Sequence, residues 1–282
     1  MSLDPDLQSS IERWFAEDIG EGDHTTFSTI PESAKGKARL ILKQKGILAG
    51  VNVARKIFQQ FDPAISIETF IADGTRISPG DIPFIVSGSV HTILQCERLV
   101  LNIMQRMSGI ATHTREYVDL IKDTEAQVLD TRKTTPGLRI LEKEAVHIGG
   151  GMNHRIGLYD MILIKDNHID FSGSIEKAIR NAKSYLKNKG LVMKIEVEVR
   201  SMDDIERVLH EGGIDRILLD NFSPEQTRKA VDLIDHRFET ESSGGITKQN
   251  IRAYANCGVD FISVGALTHQ IMSLDMSLKA DF

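Results

Sequence analysis

The 282-residue sequence predicts an α/β protein whose C-terminal half forms a closed or nearly closed α/β barrel. Three observations carry this. Short apolar runs recur at 126–134, 161–168, 193–199, 215–221, 238–245 and 260–266, at intervals of roughly 22 to 35 residues, the length of a βα unit. Between them SIEKAIRNAKSYLKN, SMDDIERVLHEGG, SPEQTRKAVDLIDH and TKQNIRAYANCG have helical periodicity, several with a Ser or Thr cap and a terminal Gly. No glycine fingerprint of a dinucleotide fold accompanies the alternation, which favours a barrel over an open sheet.

Ahead of the barrel, DLQSSIERWFAEDIG reads as a helix, capped by Ser9 or Ser10, with Ile11, Trp14 and Phe15 at helical spacing and Gly20 as its stop. EDIGEGDHTT reads as an acidic, glycine-punctuated loop. From about Ala34 to Ile93 the pattern is mostly β, with short strands joined by DG and PGD turns. Part of it resembles the small barrel-sandwich of lipoyl and biotinyl carriers. The turn tips, Asp73-Gly74 and Pro79-Gly80-Asp81, carry no lysine to modify, which argues against a carrier. From Thr92 to about Lys122 apolar residues lie all round, the mark of a long buried helix or helix pair. Arg106 stands inside it. Taken by itself, it reads as a packed stem with its head in water, the alternative being a cation projected towards a site or a partner subunit.

The net charge of -6 argues against general nucleic-acid binding, which leaves a basic footprint. Locally the balance reverses: Thr131 to His168 holds six Lys/Arg and three His against four Asp/Glu. The two cysteines, Cys96 and Cys257, form no CxxC pattern, which fits a reducing compartment and speaks against a disulfide scaffold or a structural zinc site. MSLDPDLQSS has no basic and then apolar leader pattern, and no apolar run approaches membrane-spanning length. The chain is therefore expected to be soluble and cytoplasmic, with no membrane partner.

Barrel chemistry collects at the C-terminal ends of the strands. Those ends read Asp130-Thr131-Arg132-Lys133, Lys165-Asp166-Asn167-His168, Glu196 with Glu198, Asp220-Asn221, Glu241-Ser242-Ser243-Gly244-Gly245, and Gly265-Ala266. Arg132 and Lys133 alone could be a solvated loop. Beside His154, Arg155 and Lys165 they suggest an anion cradle, arginine supplying the carboxylate fork and lysine the point charge for phosphate. Glu198 and Asp220 could neutralise these cations, or bind Mg²⁺ or ribose hydroxyls. SSGG, opening into a helix expected to begin at Thr247, and VGAL are small turns able to offer backbone N–H groups to a phosphate. Lys165, ending the apolar run MILIK, admits a Schiff-base aldolase as a third reading.

The string DTRKTTPGLRILEKEAVHIGGGMNHRIGLYDMILIKDNHI closely resembles the quinolinate phosphoribosyltransferases, also called carboxylating nicotinate-nucleotide pyrophosphorylases. EDIGEGDHTT, ERLVLNIMQRMSGIATHT, IEVEV, ILLDN, ESSGGI, SVGALTH and SLDMSLK extend the match nearly end to end, in family order. The resemblance implies a type II phosphoribosyltransferase: an N-terminal α/β sandwich domain, residues 1–110 joined by the tail from about 270 to 282, and a C-terminal α/β barrel, residues 111–269. It implies joining of quinolinate to phosphoribosyl pyrophosphate with Mg²⁺, giving nicotinate mononucleotide, pyrophosphate and CO₂, in a homodimer or higher oligomer.

By motif match, Arg132, His154 and Arg155 would hold the quinolinate carboxylates, with Thr131 alongside. Lys133 and Lys165 would reach towards quinolinate and the pyrophosphate, and Glu198 and Asp220 would serve the ribose and Mg²⁺; these four are the implied catalytic groups. Ser243, Gly244, Gly245 and Gly265 would bind the 5′-phosphate. Arg106 would be donated into a neighbouring subunit's site, against its plainer reading. Glu144, His147 and Gln270 depart from the family pattern. The rival within the superfamily is a molybdenum-transport-associated group, and the intact DTRKT and NHR favour quinolinate.

Overall fold

The structure, a computed structural model, describes residues 4–281. In chain order it begins with α1 (Asp4–Ile19), α2 (His24–Thr29), β1 (Lys35–Leu42), β2 (Gly46–Ile47) and α3 (Val51–Phe61). Then come β3 (Ser66–Thr69), β4 (Arg76–Ile77), β5 (Phe84–Ser89), α4 (Val90–Ile121), β6 (Gln127–Leu129) and α5 (Arg139–Ile148). They are followed by β7 (Ile162–Ile164), α6 (Asp166–Ser172), α7 (Ile175–Lys189), β8 (Ile195–Val199), α8 (Met202–Glu211), β9 (Arg216–Asp220) and α9 (Pro224–Ile234). The last elements are β10 (Glu239–Ser243), α10 (Ile251–Ala255), β11 (Phe261–Ser263), α11 (Ala266–His269) and β12 (Met276–Ala280). Two compact units result. The first holds the chain up to Arg115, Thr135–Gly150 and everything from Gln270; the second holds Glu116–Thr134 and Gly151–His269.

In the first unit an antiparallel sheet of order β12-β1-β5-β3 is covered by α3. Leu40, Leu42, Phe84 and Val86 from the sheet are buried, as are Ile57 and Phe58 from α3. Phe58 meets Phe84 edge to face at 6.5 Å, a favoured aromatic geometry. Ser108 of α4 accepts the Ala49 N–H at 2.9 Å, and its hydroxyl donates to the Ala49 carbonyl at 3.1 Å.

Three local expectations are corrected here. Helix α1 runs through Ser9 and Ser10 instead of starting at them, because Leu7, buried with Ile11, carries the apolar stripe one turn further towards the N-terminus. The supposed loop EDIGEGDHTT contains the start of α2, whose first turn Asp23 caps by accepting the Thr26 N–H at 3.0 Å. The supposed β region contains α3. Asp73, from a supposed hairpin tip, accepts the Val51 N–H at 2.9 Å and so anchors that helix's first turn. The long apolar stretch is a single helix, α4, of 32 residues.

The second unit carries a parallel sheet of order β6-β11-β10-β9-β8-β7. The expected strand runs shorten, and 161–168 divides at Lys165: only Ile162–Ile164 are strand, and α6 begins at Asp166. Ser174, Ser201 and Ser223 cap α7, α8 and α9 by accepting N–H groups three residues on. The helix expected at Thr247 begins instead at Ile251. Residues 247–250 form a turn in which Asn250 Oδ1 accepts the Thr247 N–H at 2.7 Å.

β6 and β7 are the sheet's two edges, and β6 takes a further parallel bridge from Leu129 to Met152. The sheet curls into a barrel. His154 shows this, its N–H on Asp130 beyond β6 and its imidazole on Glu196 of β8 and Glu241 of β10. Among the described residues, no helix is long and apolar enough to cross a membrane.

Candidate active site

The strand register stacks polar side chains inside the barrel. Glu196 and Glu239 both pair with Arg216, Glu198 and Glu241 with Leu218, and Ser243 with Asp220. Because side chains alternate faces, Glu196 and Glu198 share the inner face of β8, and Arg216, Leu218 and Asp220 that of β9.

At the upper level, Lys165 Nζ lies 2.8 Å from Glu198 Oε2. Lys165 is exposed at the start of α6, and its backbone N–H donates to His168 Nδ1 at 2.9 Å. Asp220 accepts from Asn221 Nδ2 at 2.8 Å. Its carboxyl is pushed up by burial and then by the Glu198 charge, with Lys165 opposing. Two carboxylates at neighbouring strand ends, sharing the one ammonium of Lys165, form a hard-oxygen set suited to Mg²⁺ together with substrate phosphates.

Across the barrel mouth, Arg132 and Lys133 are exposed just past β6. Thr131 Oγ1 accepts the Lys133 N–H at 3.0 Å, and Thr268 Oγ1 donates to the Lys133 carbonyl at 2.8 Å. Gly265 sits so close to Lys133 that a Cβ on it would lie 3.1 Å from Lys133 Cδ. Arg155 Nη1 donates to the Met161 carbonyl at 3.1 Å. Its guanidinium pKa is lowered by burial and then by the charge of Arg132, so the two cations face the same space. Like charges held together in this way suit a ligand bearing several negative charges. Gly244, at φ +93°, packs against Asn221, whose N–H donates to the Ser243 carbonyl at 2.9 Å.

Beneath the mouth His154, expected at the quinolinate carboxylates, meets Glu196, Glu241 and Arg216, to which sequence reasoning assigned no role beyond strand positions. His154 Nε2 is 3.0 Å from Glu196 Oε2 and 3.5 Å from Glu241 Oε2, all three side chains being buried. Arg216 Nη1 is 3.0 Å from Glu241 Oε2, and its guanidinium lies over the Phe261 ring at 3.9 Å. The Glu196 and Glu241 carboxyls are both pushed up, chiefly by burial. His154, Glu196 and Glu241 are also close enough together to ligate a metal, but Arg216 already supplies positive charge there. Two signals were visible: carboxylates at i and i+2 in IEVEV, and again in ETES, put charge on the inner face of a strand.

The second unit holds Thr131, Arg132, Lys133, His154, Arg155, Lys165, Glu198, Asp220, Ser243, Gly244, Gly245 and Gly265. Arg106 belongs to the first unit. Its Nε and Nη2 donate to Glu142 Oε1 at 2.9 and 2.6 Å, and its Nη2 also to Thr135 Oγ1 at 2.8 Å. Glu142 is 1% exposed, so the plainer reading of an arginine head in water gives way to a head held by a buried carboxylate. The departures Glu144, His147 and Gln270 all lie in the first unit.

The chain matches the family described as quinolinate phosphoribosyl transferase, N-terminal domain, over residues 23–108. It matches the C-terminal domain of the same description over residues 110–279. It is 44% identical to a chloroplastic nicotinate-nucleotide pyrophosphorylase [carboxylating] of Arabidopsis thaliana, over 98% of this chain and 83% of that one. A probable nicotinate-nucleotide pyrophosphorylase [carboxylating] of Bacillus subtilis is 41% identical, over 96% of this chain and 92% of the relative. Among solved structures, NadC from Streptococcus pyogenes superposes with a TM-score of 0.93 at 39% identity, covering 99% of this chain and 98% of that one.

Proposed function

The chain belongs to the quinolinate phosphoribosyl transferase family, and from that premise we propose that it makes nicotinate mononucleotide from quinolinate and phosphoribosyl pyrophosphate, releasing pyrophosphate and CO₂, in de novo NAD synthesis. The observation that carries the reading is the sorting of charge around one barrel mouth. Arg132, Lys133, Arg155 and Lys165 are cations for two polyanionic substrates, and Glu198 and Asp220 are the carboxylates beside them.

The quinolinate ring nitrogen attacks the ribose anomeric carbon as the bond to pyrophosphate breaks, and the electron pair leaves with pyrophosphate. Arg132 and Arg155 hold the dicarboxylate so that the nitrogen faces the sugar, while Thr131 and His154 shape the same wall. Lys133 and Lys165 meet the charge growing on pyrophosphate. Glu198 and Asp220 stand by the ribose, where a carboxylate stabilises the oxocarbenium character of the transition state. The turns at Ser243–Gly245 and Gly265 offer backbone N–H groups to the 5′-phosphate. The ring nitrogen is then cationic. The carboxylate beside it leaves as CO₂, its bonding pair stays on the ring carbon next to that charge, and a proton from solvent completes the product. No covalent enzyme intermediate is needed, and the task is positioning and electrostatics.

Glu198 and Asp220 would hold Mg²⁺, which when bound neutralises phosphate charge on the donor. The working form is a homodimer or higher homo-oligomer in which Arg106 completes the site of the neighbouring subunit. The two buried free cysteines, Cys96 and Cys257, fit a reducing, cytoplasmic setting.

The test is an assay of the purified protein with quinolinate, phosphoribosyl pyrophosphate and Mg²⁺, read as nicotinate mononucleotide formed. Product from quinolinate but not from nicotinate supports the reading, and turnover of nicotinate in place of quinolinate overturns it.

A further inference from the structure

We infer that His154 serves the dicarboxylate indirectly: Glu196 and Glu241 fix its proton on Nε2, and its Nδ1 seats the main chain of Arg155. The inference rests on the proposed reaction and recasts one residue of that site from a ligand to a positioning group.

The hydrogen bonds of His154 carry the argument. Its Nδ1 accepts the Arg155 N–H at 2.7 Å, so this nitrogen holds a lone pair and no proton. The proton of the ring therefore sits on Nε2, which lies 3.0 Å from Glu196 Oε2 and 3.5 Å from Glu241 Oε2, an electrostatic contact in which Glu196 Oε2 accepts no hydrogen bond. The backbone N–H donates to Asp130 Oδ1 at 2.8 Å. Nδ1 and the backbone N–H are therefore hydrogen-bonded within the protein, Nε2 is turned to the two carboxylates, and the side chain is only 7% exposed. As arranged, the ring is neutral. A carboxylate ligand gains little from a neutral imidazole whose two nitrogens are taken, and the cation next to it, Arg155, is the group free to face the ligand.

The charged groups around the ring agree. Glu196 comes from β8, Glu241 from β10 and Asp130 from the end of β6. Arg216 of β9 faces Glu241 at 3.0 Å and Glu239 at 3.0 Å. Arg155 follows in sequence, and Lys165 pairs with Glu198 one layer above. The arrangement is a carboxylate–histidine relay in which outer residues fix the tautomer and a neighbour does the binding.

The test is nitrogen-15 NMR of the full-length protein with labelled histidine, the His154 signals being assigned by their loss in His154→Ala. The expected pattern near neutral pH is one protonated nitrogen, Nε2, and one unprotonated nitrogen, Nδ1, unchanged when quinolinate is added. An imidazolium pattern, or loss of the unprotonated Nδ1 signal on adding quinolinate, overturns the inference. The second arm is kinetic: Glu241→Gln is expected to raise KM for quinolinate about tenfold while KM for phosphoribosyl pyrophosphate stays put. Wild-type KM for quinolinate in Glu241→Gln would remove Glu241 from the relay. The spectrum of the free protein does not depend on turnover, so a wild-type chain that makes no nicotinate mononucleotide would sink the proposed reaction and leave the tautomer to be judged separately.

Discussion

Lys165 Nζ stands 2.8 Å from Glu198 Oε2, an ion pair running from the start of α6 to β8. Glu198 is nearly buried, and its charge is one cause of the raised Asp220 carboxyl. Removing the ammonium leaves the Glu198 and Asp220 carboxylates without it and takes a cation from the site proposed for the leaving pyrophosphate. Lys165→Ala is expected to cut kcat/KM by about a hundredfold or more. Since Lys165 is exposed, the melting temperature should fall by no more than a few degrees, roughly the effect of one lost surface pair. Near-wild-type turnover in Lys165→Ala would remove it from the site.

Gly244 and Gly245 separate a steric role from a merely conformational one. Both have positive φ, at +93° and +62°. A Cβ on Gly244 would collide with Asn221 Oδ1 and approach the Asn221 nitrogen to 3.0 Å, while a Cβ on Gly245 meets nothing within 4 Å. Gly245→Ala should therefore cost about 1 kcal/mol, the penalty of the left-handed backbone alone. Gly244→Ala must also displace the Asn221 turn, and is expected to cost about 2–4 kcal/mol in urea unfolding and to raise KM for phosphoribosyl pyrophosphate. Equal effects of the two substitutions would contradict the role given to the turn.

The strand ends were legible because barrel chemistry has a fixed address, and Arg132, Lys165, Glu198 and Asp220 can be read off as residues that close apolar runs. The relay around His154 was not. His154, Glu196 and Glu241 meet only because the sheet curls, and no local period encodes that contact. Helix α3 was hidden differently. Its opening Val51-Asn52-Val53 alternates like a strand, and only the full buried set Val51, Val53, Ala54, Ile57 and Phe58 shows the helical period. The helix expected at Thr247 failed through turn chemistry, Asn250 drawing the preceding residues into a capped turn.

The buried carboxyl of Glu241 makes a prediction about pH. Its pKa is pushed from 4.5 up to about 7, by burial first and then by Glu196, with His154 and then Arg216 opposing. A folded-state value above the unfolded one means that the native protein binds the proton more tightly. This group's contribution to stability is therefore fully present below about pH 4.5 and is lost as pH rises through about 7. Glu241→Gln cannot ionise, so its stability should decline less steeply than wild type across that window. Urea unfolding at a series of pH values checks this, and parallel curves for the two proteins would refute it.

The hold of Glu142 on Arg106 bears on how the site is completed. Two short hydrogen bonds to a carboxylate 1% exposed fix the guanidinium in the first unit, whereas the implied catalytic groups all lie in the second. The proposed oligomer gives such an arginine a use, since a two-fold interface can offer it to the other subunit's barrel. Arg106→Ala and Lys165→Ala should each keep no more than about one per cent of wild-type turnover alone. A dimer containing one chain of each keeps one intact site, formed by the Lys165 of the first chain and the Arg106 of the second. Random reassortment of equal amounts should then restore about one quarter of wild-type activity, half of the dimers being mixed with one working site in two. Dissociating the two variants together and letting them reassociate measures this. No recovery despite mixed dimers would place Arg106 in its own chain's site or in none.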